Sequence, residues 1–446
     1  MDHKRLLLVG VALGSLGVGC SGSSENTNPP PVNKGALQIR TMMDYTGPTS
    51  DNAAVYYQGI KDAMREANAT GGIKGYTLDE KIYDHAYVLT RAQAQYDAWK
   101  AEPSWPSVLM FFSWGTPDSQ MFSADAAKEG KPFISGSYAN TLATPVSQMK
   151  TVMLPDGTSK DFTAEPAPFN FFAGTDYGTQ ARIGMEFVKK KGGHKMGFAY
   201  CRESPFCAEP IPAARTWAKQ IGLAEGPDTL DVTLSDSYET VKSKIVAYVD
   251  ANPDADWYWV GNSITTSLYV AKALREHNKE LGKPDDQAPK VIANMWGMDE
   301  RAWDMCGADC VGNTYVMMSF AAFGDLRYPA MEKVVALHKK YRMLDGDPET
   351  KYANVRYVQG YVSFYIFRKA LEQVIDSGKE VNGRNLKDAL ETFRALESGG
   401  LTAPITFTPE DHRPTNRVRV YSMNQFGKFQ FEDEISVQLQ RDWMGW

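Results

Sequence analysis

The stretch from Val108 to Asn140 constrains the fold more than any other. A short apolar run, Val108-Leu109-Met110-Phe111-Phe112, is followed by the polar loop Ser113-Trp114-Gly115-Thr116-Pro117-Asp118. A helix-compatible segment, Ser119 to Gly130, leads to a second short run, Pro132-Phe133-Ile134-Ser135, and to the loop Gly136-Ser137-Tyr138-Ala139-Asn140. Strand, loop, helix, strand, loop is a βαβ unit. Two strands joined through a helix run parallel, so their carboxyl-end loops open on one edge of the sheet, where open α/β sheets hold ligands. These loops offer hydroxyls, backbone groups and two large aromatics, with no metal cluster and no nucleophile beside a base.

The same alternation runs on both sides of this unit. Strands are expected at Leu37–Met43 and Tyr76–Tyr83, with a helix between them whose apolar side is Val55, Ile60, Ala63, Met64 and Ala67. A second helix spans Leu89–Lys100. The pattern restarts with strands at Lys195–Tyr200, Trp257–Val260 and Lys290–Asn294. Helices at Ile211–Ile221, Tyr238–Ala251 and Thr265–Asn278 separate them. Two α/β lobes facing a cleft follow from this repetition. Long helices are expected at Tyr328–Arg342 and Val355–Ser377, the second with an aromatic face that reads as core. Short strands follow at Ile405–Phe407, Val418–Met423 and Lys428–Phe431.

With 446 residues the chain has room for two cores, and its net charge of −6 with no basic stripe argues against nucleic acid as a partner. Lys4 and Arg5 precede the apolar run Leu6–Val18, too short to span a bilayer, which ends at Gly19-Cys20. This resembles a bacterial lipobox, although Gly17 stands where Leu is usual. Residues 1–20 are therefore expected to be a signal peptide, with Cys20 lipidated and 21–35 a flexible tether to the membrane. The other cysteines, Cys201, Cys207, Cys306 and Cys310, pair most simply as Cys201–Cys207 and Cys306–Cys310 in an oxidising compartment. Free buried thiols are the alternative, and no His lies near either pair to make a zinc site. No G-x-S-x-G, H-E-x-x-H or phosphate-loop pattern is present, and the histidines are scattered, so neither an enzyme nor a cofactor is expected.

The opening block resembles a known family. Thr46-Gly47-Pro48, then Gly59, then Ala67 to Gly75 are similar to the first helix and turn of the branched-chain amino-acid type of periplasmic substrate-binding proteins of ABC transporters. Trp114-Gly115-Thr116, Ser135 to Tyr138, Asn294 to Glu300 and Thr408 to Arg413 look like a divergent branch, some members of which bind hydrophobic molecules such as sterols or aromatic acids. The resemblance implies a type I periplasmic-binding fold, two Rossmann-like lobes joined by crossing hinge strands. Lobe one would take 36–172 plus 318–403, and lobe two 173–317 plus 404–446. It also implies a monomer that closes by a hinge on a small molecule, passes it to a membrane permease and resides in the periplasm. Carried onto this chain, the ligand residues are Tyr45, Ser113, Trp114, Gly115, Ser137, Tyr138, Ala139, Asp176, Tyr177, Phe206, Asn262, Ser263 and Trp296.

One departure matters. Amino-acid binders of this family supply a carboxylate from lobe two to the ligand ammonium, since a desolvated ammonium needs such a partner. That place falls at Trp296 here, and Trp114, Tyr138 and Phe206 add aromatic surface, which suits an apolar or ring-bearing ligand. Asp118 or Asp176 is the candidate replacement if the ligand is an amino acid after all. A sterol or lipid carrier, or a sensor, is a further use of the same fold.

The N-terminal reading has a direct check. Labelled fatty acid should be incorporated by the wild type and lost in Cys20→Ala; equal labelling of the two would refute lipidation.

Overall fold

The computed structural model describes residues 33–153 and 157–443. Cys20, the signal segment and most of the tether lie outside the described residues. The first half of the fold is β1 (Gly35–Met43), α1 (Ser50–Ala69), β2 (Tyr76–Asp84), α2 (Leu89–Lys100), β3 (Val108–Ser113), α3 (Thr116–Glu129) and β4 (Phe133–Ser135). A hairpin, β5 (Gln148–Met153) and β6 (Ser159–Ala164), then interrupts the alternation before the short β7 (Asn170–Phe171). These strands, apart from the hairpin, form a sheet ordered β2-β1-β3-β4-β7, parallel throughout.

The second half begins with α4 (Tyr177–Lys190) and continues through β8 (Lys195–Tyr200), α5 (Pro205–Ala208), α6 (Ile211–Gln220), β9 (Ala224–Asp231) and α7 (Tyr238–Ala251). It then runs through β10 (Trp257–Gly261), α8 (Ile264–Glu280), β11 (Lys290–Ala293), α9 (Ala302–Cys306) and β12 (Thr314–Met318). The chain next forms α10 (Ala330–Asp345), α11 (Val355–Asp376) and α12 (Gly383–Leu390), and ends with β13 (Arg417–Met423) and β14 (Phe429–Ser436). The second sheet is ordered β14-β13-β12-β11-β10-β8-β9; its last two strands in sequence pair antiparallel.

Three passages connect the halves. The first lies between β7 and α4 and the second between β12 and α10. Before the third, Phe407 and His412 still pack on Phe171 of the first sheet, with ring centroids 5.1 and 4.2 Å away, so the chain crosses between His412 and β13, later than Pro404. Ile405–Phe407, expected as a strand, makes only a single bridge from Ile405 to Leu396, because its side chains turn into this core rather than along a neighbour. Helix α3 begins at Thr116, ahead of the expected Ser119, since Pro117 is tolerated in a first turn.

Helix α11 returns to the first half and lies against α1. A Cβ on Gly360 would meet the Tyr56 carbonyl at 1.8 Å, and one on Gly59 the Tyr357 carbonyl at 2.1 Å, so the helices touch backbone to backbone where both lack side chains. Tyr56 Oη donates to Ser363 Oγ (3.0 Å) at this crossing. One turn on, Asp62 accepts from Arg342 of α10 (2.7 Å), Tyr357 of α11 (3.0 Å) and Gln58 (2.7 Å), with both charged side chains fully buried. The cysteines close as Cys201–Cys207 and Cys306–Cys310 disulfides, with Cα separations of 5.4 and 5.8 Å.

A buried pair costs most when half of it is removed. Asp62→Ala should lower stability by roughly 3–5 kcal/mol, and Asp62→Ala/Arg342→Met should recover part of that loss. Urea-midpoint shifts read both; a single variant no worse than the double one would contradict the assignment.

Candidate functional site

Parallel strand order places the carboxyl ends of β1 to β4 on one edge, facing the corresponding edge of β8, β10 and β11. Between them is a cavity of about 20 Å³ lined by Thr49, Asn52, Tyr87, Trp114, Gly115, Thr116, Gly136, Tyr177, Phe206, Ser263 and Trp296. About 10–15 Å³ of such space holds one water, so the cavity has room for little more than that, and a larger ligand is admitted only by parting the walls. The walls are joined across the gap. Tyr87 Oη lies 3.0 Å from Ser204 Oγ, Arg301 Nη1 donates to the Asp51 carbonyl (2.9 Å), and the Thr141 amide donates to Glu209 (2.9 Å).

Trp296 and Trp114 are the centre of the site. Their rings meet edge to face with centroids 5.0 Å apart, one from each half. Trp114 Nε1 donates to Thr49 Oγ1 (2.8 Å), and Thr49 in turn donates to Asp44 Oδ2 (2.7 Å), which ties the indole to the entry of α1. Trp296 Nε1 donates to Tyr177 Oη (2.8 Å). Beneath Trp296, the fully buried Arg356 guanidinium lies 4.8 Å from the ring centroid and donates to the carbonyls of Met295 and Met298. Glu300, on the same loop, accepts from the amides of Phe323 (2.6 Å) and Val355 (2.9 Å). The loop that carries Trp296 thus follows β11 of one half but is gripped by the amino end of α11 on the other.

Of the residues expected at a ligand site, Trp114, Gly115, Tyr177, Phe206, Ser263 and Trp296 line this cavity. Gly115 has no room for a side chain: a Cβ would stand 2.3 Å from Asp118 Oδ1 and 2.7 Å from the Tyr87 ring. The others are not in the lining. Tyr138 stands behind Trp296 with centroids 6.0 Å apart, its hydroxyl bonded to Gln359. Ser137 Oγ is 2.6 Å from Thr116 Oγ1, Ser113 Oγ is 3.0 Å from Ser119 Oγ, and Ala139 is buried, its amide donating to Ser137 Oγ. Asn262 spends its amide on the Val232 carbonyl and Ser263 amide. Asp176 caps α4 through the Thr179 amide, and Tyr45 packs on Tyr57 at the rim of the first sheet. Thr49, Asn52, Tyr87, Thr116 and Gly136 come in unannounced. Thr49 and Asn52 belong to the first turn of α1, and Tyr87, with a left-handed φ of 59°, follows β2.

No Asp or Glu is among the lining residues. The nearest buried acid, Asp118, has Oδ2 3.7 Å from His85 Nε2, both atoms otherwise without a partner. Burial pushes Asp118 up to about 8 and His85 down to about 4, so both are uncharged at neutral pH. By contrast, the amino ends of α1, α3 and α8 border the cavity through Thr49, Thr116 and Ser263, which brings three positive dipole ends to it.

The Asp118 proton has a measurable consequence. The native chain holds it to about pH 8 while the unfolded chain releases it near 3.8, so native stability falls with rising pH across that window, by up to ~1.4 kcal/mol per unit. Asp118→Asn removes this slope. The thermal midpoint of the variant relative to wild type should rise from pH 5 to pH 8; a constant difference would show an ionised Asp118.

Comparison with known proteins adds the lineage. No curated protein sequence matches the chain. Among solved structures, a substrate-binding protein of an ABC transporter from Aeropyrum pernix superimposes with a TM-score of 0.76 at 24% identity, covering 92% of this chain and 98% of that one. A branched-chain amino-acid ABC transporter structure from Thermus thermophilus with bound valine gives 0.74 at 18% identity, covering 91% and 97%. A fatty acid ABC transporter substrate-binding protein from Thermomonospora curvata gives 0.73 at 17%, covering 93% and 96%. The periplasmic binding protein family model matches residues 39–428, nearly the whole of the described chain, and the chain belongs to that family.

Proposed function

We propose that the protein is a lipid-anchored solute-binding protein that captures a small apolar or aromatic-bodied molecule between its two halves and delivers it to an ABC-type permease. The lining carries the reading: Tyr87, Trp114, Tyr177, Phe206 and Trp296 surround the cavity, and none of its residues is acidic. A ligand ammonium brought into this surface finds no anion, and an unpaired buried charge costs several kcal/mol. A hydroxyl or carboxylate is favoured by the positive dipole ends of α1, α3 and α8, which border the cavity. A ring or alkyl body gains roughly 25 cal/mol per Å² of apolar surface buried.

The same fold serves a valine-bound protein and a fatty-acid transporter protein, so the relatives do not choose between an amino acid and an apolar acid. The absence of an ionised carboxylate in the lining favours the latter. A sterol or lipid carrier uses the same aromatic walls with a larger opening of the cleft.

Calorimetry against leucine, phenylalanine, benzoate and a sterol separates these readings. Benzoate or sterol should bind and leucine should not. Trp296→Ala or Trp114→Ala should weaken the binding by about 1–3 kcal/mol, the worth of a large buried side chain. Micromolar binding of leucine alone would establish an amino-acid carrier instead.

A further inference from the structure

A second cavity, of about 140 Å³, lies on the outer side of the seven-stranded half between α4, α6 and the turn Arg441–Trp443. It shares no residue with the cleft described above. Arg182 of α4 forms one wall. It is only 5% exposed, and its guanidinium lies 4.1 Å from the centroid of the Trp443 ring. Its Nη1 is buried without a hydrogen-bond partner, as is Thr216 Oγ1 on the facing helix. Among the described residues Arg182 makes no ion pair; the carboxylates that act on it from farther off are Asp176 and Asp442, the latter lining the cavity together with Lys150. Asp176 turns back to cap α4, and Asp442 is taken by Lys150 at 2.8 Å.

A guanidinium removed from water without an anion is unfavourable, and stacking on an indole offsets only part of the loss. The other walls are aromatic. Trp217 and Trp443 meet at 82° with centroids 5.2 Å apart, and Trp217 is held by a bond from Nε1 to Glu186 (2.9 Å). Two perpendicular indoles make a fixed corner beside the cation. A cavity of about 150 Å³ holds a benzene ring, so the available space matches a small planar body.

We propose that this cavity is a second binding site, for a small aromatic carboxylate whose carboxylate pairs with Arg182 and whose ring packs in the corner of Trp217 and Trp443. Charge pairing needs the anion, and the corner needs the ring; neither an amine nor a bulky lipid satisfies both. The proposal is independent of which ligand occupies the main cleft.

The test uses the full mature protein labelled with 5-fluorotryptophan, with the Trp217 and Trp443 fluorine resonances assigned through Trp217→Phe and Trp443→Phe. Benzoate is the probe and benzyl alcohol its uncharged counterpart. Benzoate should shift both resonances saturably and benzyl alcohol should not. Arg182→Met should weaken the benzoate response at least tenfold, and Arg182→Lys should retain part of it. Unmoved resonances at about 10 mM benzoate, a ceiling for meaningful affinity, would overturn the site. So would equal responses to the alcohol, which remains decisive if Arg182→Met does not fold. Shifts confined to the other tryptophan resonances would place benzoate elsewhere and likewise overturn it.

Discussion

The grip of α11 on the loop after β11 holds the cleft in register. Glu300 receives the first amide of the helix, and Arg356, one residue on, reaches back to two carbonyls of the same loop and lies under Trp296. Arg356 is fully buried and Glu300 partly so, and desolvation moves each toward its uncharged form, Glu300 up to about 7 and Arg356 down to about 10. Such groups are tolerated only where their bonds are nearly complete. The seam therefore cannot slide by small steps. Trp296 belongs to one half by chain and to the other by contact, and its angle against Trp114 is fixed from both sides.

The electrostatics of the cleft follow from what surrounds it rather than from its own residues. Asp44 spends its carboxylate on the Gly47 and Thr49 amides and the Thr49 hydroxyl, Asp299 pairs with Arg301, and Asp118 stays protonated through burial. These three acids are thus either engaged or neutral. The polar signal left for a ligand is the set of helix amino ends, which favours negative charge or an acceptor.

Much of this was legible in the sequence. The alternation of short apolar runs with helical periodicity gave α2, α7 and β8 to the residue, because each is bounded by strong punctuation and carries one clear face. The family motifs pointed to the edge of the sheet and to Trp296. What escaped was of two kinds. The β5–β6 hairpin and β7 carry no long apolar run, β9 begins with Ala224-Glu225-Gly226-Pro227, which reads as a loop, and α4, α12 and β12 also went unexpected. At the site, the loops after β3 and β4 were given too much and those around α1 and β2 too little. Ser113, Ser137 and Asn262 spend their polar atoms on Ser119, Thr116 and Val232, while Thr49, Asn52 and Tyr87 reach the cavity through contacts between distant segments. Spacing in sequence tells which edge a side chain is near, not whether a neighbour has already consumed it.

The Cys201–Cys207 disulfide closes a ring of only a few residues, and within it lie Ser204, which reaches Tyr87 across the gap, and Phe206, which walls the cavity. One face of the cleft is thereby finished by oxidation rather than by folding alone. A reduced chain keeps the scaffold but leaves this wall unpinned, so the shape of one face of the cleft is tied to the oxidising compartment in which such bonds persist.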